Sequence, residues 1–124
     1  MQPLRILVVE DLHDSAETSA HLLRLWGYQT AIACNGERAL EEAKTFHPDV
    51  VLLDIGLPGM DGYELARRLR QMEETAKALL VAITGYGQAD DVKRSKEAGI
   101  DYHFLKPVDH AQLRKVLSQT QPQR

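Results

Sequence analysis

Asp49-Val50-Val51-Leu52-Leu53-Asp54 is the stretch on which the fold turns. Four successive apolar residues without polar alternation suit a strand covered on both faces, and such strands belong to parallel sheets. Outward from it the same pattern repeats. Residues 4–9 form a short apolar run that ends in Glu10-Asp11, and residues 79–83 form another, followed by Thr84. Residues 28–33 are a weaker strand, and residues 102–105 are the last, followed by Lys106-Pro107.

Helical stretches fill the intervals. Residues 14–26 carry Ala16, Ala20 and Leu23 on one face, with Asp14 as the expected N-cap, Glu17 three residues on, and Gly27 as the stop. Asn35 is placed to cap a helix whose Ala39, Leu40, Ala43 and Phe46 face inward, ended by Pro48. Residues 58–62 (Pro-Gly-Met-Asp-Gly) are turn chemistry, and Asp61 with Glu64 predicts a capping box for the helix bearing Leu65, Leu69 and Met72. Residues 88–98 make a helix with few large apolar side chains, closed by Gly99. Asp109 with Gln112 caps a final helix holding Leu113, Val116 and Leu117, and the polar residues 118–124 are expected to fray.

Repeated strand–helix units predict an α/β fold with a doubly wound parallel sheet and helices on both faces. The chain of 124 residues fits one domain, 1–124, with an ordered core of about 4–118. Its 44% hydrophobic and 27% charged residues are ordinary for a globular protein. A net charge of −3, with no basic stripe, argues against a direct nucleic-acid partner. The absence of a long apolar run argues against a membrane span. One cysteine, Cys34, and a start without signal-peptide layout fit a cytoplasmic protein.

The polar residues at the strand ends are the informative part. Glu10-Asp11 ends the first strand, Asp54 the third, Thr84 the fourth and Lys106-Pro107 the fifth. Open parallel sheets bind ligands beyond the carboxyl ends of their strands, so these groups would share one edge. Carboxylates brought together repel and call for a cation. A ligand set of oxygens without His or Cys favours Mg²⁺ or another hard cation such as Mn²⁺. A metal, the Lys106 ammonium and the Thr84 hydroxyl around a free carboxylate would receive a tetrahedral dianion bonded to that carboxylate.

These residues resemble the receiver family of two-component signalling. The resemblance rests on residues 6–11 (Ile-Leu-Val-Val-Glu-Asp), 49–62, 83–85 (Ile-Thr-Gly) and Lys106-Pro107, in that order and spacing. It implies a flavodoxin-like five-stranded sheet of order 2-1-3-4-5, as in the chemotaxis regulator. It implies Asp54 as phosphoacceptor. Asp11, Asp54 and the backbone carbonyl of Gly56 would be metal ligands, with Glu10 acting through a bound water. Thr84 and Lys106 would bind phosphoryl oxygens, and a cis peptide bond before Pro107 would place Lys106. The donor would be a phosphohistidine on a histidine kinase or histidine phosphotransfer domain. The output would reach a downstream protein target through the 88–118 face. The family's switch position, usually Tyr or Phe, is His103 here. Two readings of it stand side by side, a switch that turns as Thr84 moves and a half-buried spacer.

Two other functions compete with this one. A haloacid-dehalogenase-like phosphatase also uses an Asp nucleophile and Mg²⁺, but it needs a second Asp two residues later, where this chain has Gly56. A phosphorylation-independent binding module would usually lose an acidic residue or the lysine, and all are present. The expectation is therefore a signalling phosphoacceptor and not a turnover enzyme. Met1 close to the first strand suits a natural start, and a receiver excised from a hybrid kinase is the alternative.

Overall fold

The structure is a computed structural model, and it describes residues 3–56, 59–85 and 92–122. Strands and helices alternate as β1 (Arg5–Val9), α1 (His13–Leu25), β2 (Gln29–Ala33), α2 (Gly36–Phe46), β3 (Val50–Asp54), α3 (Gly62–Gln71), β4 (Leu79–Thr84), α4 (Val92–Ala98), β5 (Tyr102–Leu105) and α5 (His110–Ser118). The strands form one parallel sheet in the order β2-β1-β3-β4-β5.

The continuous apolar runs follow from this arrangement. Successive strand residues point to opposite faces. Leu7, Val9, Val51, Leu53, Leu80 and Ala82 pack on one side with Ala39, Ala43, Leu65, Leu69 and Ala98 of α2, α3 and α4. Ile6, Val8, Val50, Leu52 and Val81 pack on the other with Leu23, Leu113 and Leu117 of α1 and α5. Every residue of β3 is buried, so its terminal Asp54 is held at the centre of the sheet's carboxyl edge.

Most helix boundaries match the sequence signals. Asn35, Asp61 and Asp109 each accept a backbone N–H of their helix's first turn. Gly27 and Gly99 take φ of 97° and 89° after α1 and α4, where a side chain would be strained. Two details differ. The N-cap of α1 is Leu12, without a side-chain cap, and Asp14 lies in the first turn. The Leu12 N–H is instead bonded to Glu10 Oε1 at 3.1 Å, so the carboxylate ending β1 organises the entry to α1 and the helix starts earlier. The capping box of α3 is half-formed. Asp61 accepts from the Glu64 N–H at 2.8 Å, but the Glu64 carboxylate turns to Arg67 and Arg68, at 2.9 and 3.1 Å.

Residues 88–91 of the expected fourth helix, Leu57, Pro58 and Tyr86 lie outside the described residues. Hydrogen bonds from Thr120 N to Leu117 O and from Thr120 Oγ1 to Val116 O extend order past 118, where fraying was expected to begin. A close approach fixes the β3–α3 connection. A Cβ on Gly62 would lie 2.7 Å from Ile55 Cα, so only glycine lets the start of α3 pack against the residue after Asp54.

Candidate functional site

Three strands deliver the acidic and basic groups to one edge. β1 runs directly into Glu10 and Asp11, β3 ends in Asp54, and β5 is followed by Lys106. Parallel pairing of β1 with β3, in register from Ile6↔Val50 to Val9↔Leu53, sets Glu10 beside Asp54. One carboxylate oxygen from each of Glu10, Asp11 and Asp54 lies within 4.8 Å of the other two. Glu10 and Asp54 are 9% and 8% exposed, whereas Asp11 is open to solvent.

Lys106 closes the cluster. Its Nζ donates to Asp54 Oδ2 at 3.0 Å and lies 3.8 Å from Glu10 Oε2. Its backbone N–H donates to Thr84 O at 2.7 Å, and a cis Lys106-Pro107 bond follows. The other oxygen of Asp54, Oδ1, accepts the Gly56 N–H at 2.9 Å. Thr84 ends β4, next to β3 in the sheet, and its hydroxyl is buried without a hydrogen-bond partner among the described residues. A buried hydroxyl left unsatisfied costs free energy and is a polar group available to a ligand.

The electrostatics reflect the crowding. Burial pushes the Glu10 carboxyl above its usual range, and the Asp54 charge adds to this against the opposing Leu12 amide and Lys106. For Lys106, burial works against the charged form. The hydrogen bond to Asp54 and the charges of Asp54, Glu10 and Asp11 outweigh it and raise the ammonium above its usual value. One ammonium thus faces three carboxylates, leaving an excess of negative charge that a divalent cation would offset. An all-oxygen donor set at this spacing fits a hard ion such as Mg²⁺.

The family model described as response regulator receiver domain matches residues 6–118. The chain belongs to the response regulator receiver family. This receiver is 36% identical over 118 residues to sporulation initiation phosphotransferase F of Bacillus subtilis (strain 168), covering 95% of this chain and 94% of that protein. It is 30% identical over 103 residues to the polar-differentiation response regulator DivK of Brucella ovis, covering 83% and 84% of the two chains. Among solved structures, a CheY-like receiver domain protein from Methanospirillum hungatei JF-1 superposes with a TM-score of 0.86 at 26% identity, covering 95% and 93% of the two chains. The receiver domain of a sensor histidine kinase from Pseudomonas aeruginosa PAO1 superposes with a TM-score of 0.83 at 28% identity, covering 96% and 98%. That structure has a magnesium ion coordinated in its active site cleft.

Of the residues singled out in the sequence, the receiver fold brings Glu10, Asp11, Asp54 and Lys106 together, with Gly56 meeting Asp54 through its N–H. His103 is set apart from the carboxylates. It is half-buried on β5, and its Nδ1 lies 2.9 Å from Ser95 Oγ of α4. Sequence reasoning passed over Ser95, a buried polar residue in a weakly amphipathic helix. It also passed over Arg94, whose guanidinium lies 4.3 Å from the Tyr63 ring centroid and 3.4 Å from Asp61 Oδ2. The available signal was that Ser95 and Ala98, three apart, share the inward face among residues 93–98.

Proposed function

We propose that Asp54 accepts a phosphoryl group from a phosphohistidine on a histidine kinase or histidine phosphotransfer domain, and that the change is passed to a protein partner through the 88–118 face. The observation that carries this reading is the contact of Lys106 Nζ with Asp54 Oδ2 at 3.0 Å inside a cluster of three carboxylates. In the transfer, an Asp54 carboxylate oxygen bonds to phosphorus. The phosphorus–nitrogen bond of the donor breaks, and its electron pair returns to the imidazole. Lys106 then pairs its ammonium with a phosphoryl oxygen, and the Thr84 hydroxyl donates to another, gaining a partner it lacks among the described residues. Asp11, Asp54 and the Gly56 carbonyl would hold Mg²⁺, with Glu10 acting through a water. When bound, the ion supplies divalent charge against the oxygens of the transferring group.

The magnesium in the Pseudomonas receiver and the phosphotransferase named among the relatives support this reading. The site also opens onto a groove of about 420 Å³ lined by Asp14, Ser15, Thr18, Val108 and His110 between α1 and the start of α5. Leu12 and Leu105, 61% and 55% exposed, sit next in sequence to Asp11 and Lys106 and offer apolar anchors for a donor protein.

The chain is a phosphoacceptor and not a turnover phosphatase. Two residues past the nucleophile stands Gly56, which has no acid or base to protonate a leaving group. Incubation with acetyl phosphate and Mg²⁺, followed by intact mass, tests the assignment. One phosphoryl adduct is expected, and Asp54→Asn should remove it. An adduct that survives in D54N, or sustained hydrolysis of a phosphate ester, would overturn the proposal.

A further inference from the structure

Among the described side chains of α4, those of residues 93–98, polar contacts outnumber buried apolar groups. Of its residues 93–98, only Ser95 and Ala98 are buried, and Lys93, Arg94, Lys96 and Glu97 face solvent. α3, by comparison, buries Tyr63, Leu65, Ala66 and Leu69. Toward α3, Arg94 covers the Tyr63 ring and pairs with Asp61 at the exposed surface. Toward the sheet, Ser95 Oγ meets His103 Nδ1 at 2.9 Å, and Ser95 itself is 4% exposed. A partly buried hydrogen bond is directional, so it is a contact that orients α4 against β5.

The register gives this bond a link to the site. β4 and β5 pair as Ala82↔His103 and Thr84↔Leu105. Residues two apart on a strand share a face, so His103 lies on the Thr84 side of the sheet, under α4. We propose that Ser95 is a positioning residue for the switch: its hydroxyl holds the His103 imidazole against α4 in the unphosphorylated protein, and occupation of the Asp54 site releases it. The inference rests on the phosphoacceptor reading above. If Thr84 moves to donate to the phosphoryl group, space opens on that face beside Ala82. His103 can fill it only by giving up Ser95. Ser95 therefore opposes the switched state, and α4, with few apolar anchors among residues 93–98, shifts more easily once the bond is lost.

The test uses the full chain with a beryllium fluoride adduct on Asp54, and reads the His103 imidazole nitrogens by NMR together with hydrogen exchange of residues 93–98. In the unmodified protein, Ser95→Ala should move the His103 nitrogen signals toward their adduct positions. It should also speed exchange in α4 by roughly five- to tenfold, the worth of one net hydrogen bond. Ser95→Thr, which keeps the hydroxyl, should restore both. His103→Phe keeps the aromatic volume without the ring nitrogen that meets Ser95, so S95A and H103F should be non-additive in a double-mutant cycle. Additive effects, or S95A leaving the His103 nitrogens unmoved, would overturn the proposal. An adduct that forms in the wild type without moving His103 would overturn it alone, whereas failure of the adduct to form on Asp54 would overturn the phosphoacceptor reading beneath it.

Discussion

Lys106 Nζ is 3.0 Å from Asp54 Oδ2 and 3.8 Å from Glu10 Oε2, so the ammonium is aimed at Asp54 and shared only loosely with its neighbour. The bond ties the residue after β5 to the end of β3, across the intervening β4. In the proposed transfer, a cation held there would stabilise negative charge developing on the phosphoryl group without having to reorganise. Lys106→Met keeps much of the side-chain volume and removes the charge. It should slow acquisition of the phosphoryl mass from acetyl phosphate by about a hundredfold to a thousandfold, a typical effect of removing one such group. Intact mass against time is the measurement, and an unchanged rate would show that Lys106 serves only to neutralise the resting carboxylates.

Glu10 is the strained member of the cluster, raised by its burial and by Asp54. Glu10→Gln preserves an acceptor for the Leu12 N–H, at present 3.1 Å from Oε1, while deleting one negative charge. Without metal, the variant should melt at a higher temperature than the wild type. Its Mg²⁺ affinity should fall roughly ten- to a hundredfold, as when an outer-sphere partner of a metal is lost. Thermal melts with and without Mg²⁺, and a Mg²⁺ titration, check both halves. A variant less stable in the free state and unaltered in affinity would contradict this account of the cluster.

The strands were legible because a sheet buried on both faces needs unbroken apolar runs, and residues 50–53 and 79–83 supply them. The site was legible for a related reason. Asp54 and Lys106 each sit where a strand hands over to a loop, so the topology alone brings them to one edge. What escaped was decided between elements. Asp14 looked like the N-cap of α1 because its spacing to Glu17 was right, yet the helix already begins at His13, after a turn in which Glu10 Oε1 accepts the Leu12 N–H. The spacing of Ser95 to Ala98 marked an inward position but not its partner, because His103 belongs to another element. Arg70 was one arginine among Arg67, Arg68 and Arg70 on a polar helix face. Only the packed structure shows that its carbonyl partners come from two separate loops.

The exposed charges of α3 give a pH dependence with a definite sign. Glu64 is held below its ordinary value, first by its hydrogen bonds to Arg67 and Arg68. A depressed carboxyl contributes stability above its unfolded-state value and loses it as pH falls through the lower folded-state value. The wild type should therefore be slightly more stable than Glu64→Gln at neutral pH, and the difference should vanish on acidification below the ordinary glutamate range. Because the pair is at the surface, added salt should shrink the difference at neutral pH as well. Melts of the two proteins across pH and salt provide the check. A difference that grows in acid would reverse the assigned sign.

Gly62 offers a test of how tightly the β3–α3 connection is built. Its missing side chain leaves room for Ile55, whose Cα would lie 2.7 Å from an added Cβ, with Asp54 O at 3.1 Å. Backbone cannot yield there as a flexible side chain could. Gly62→Ala should cost about 1–3 kcal/mol in urea unfolding, the usual range for overpacking. Since the displaced atoms adjoin Asp54, it should also slow phosphoryl acceptance, and a variant with wild-type stability would show that the connection is looser than its geometry implies.

Arg70 should be the costliest single surface-side loss outside the site. Its guanidinium donates to Gly99 O at 3.0 and 2.8 Å, to Ala76 O at 3.1 Å and to Ala78 O, and it pairs with Asp101 at 2.7 Å. It thereby joins the end of α3 to the carbonyls of the turns before β4 and after α4. Asp101 also accepts the Leu80 N–H at 2.8 Å, so the pair anchors the starts of both β4 and β5. Arg70→Ala strands several partly buried carbonyls and should destabilise the fold by about 1–3 kcal/mol. Arg70→Lys should recover little of this, because an ammonium cannot reproduce the planar fork that reaches Gly99 and Ala78 at once. Urea unfolding of both variants is the measurement. Full recovery by lysine would mean that charge at this position, and not the shape of the donor, holds the two loops together.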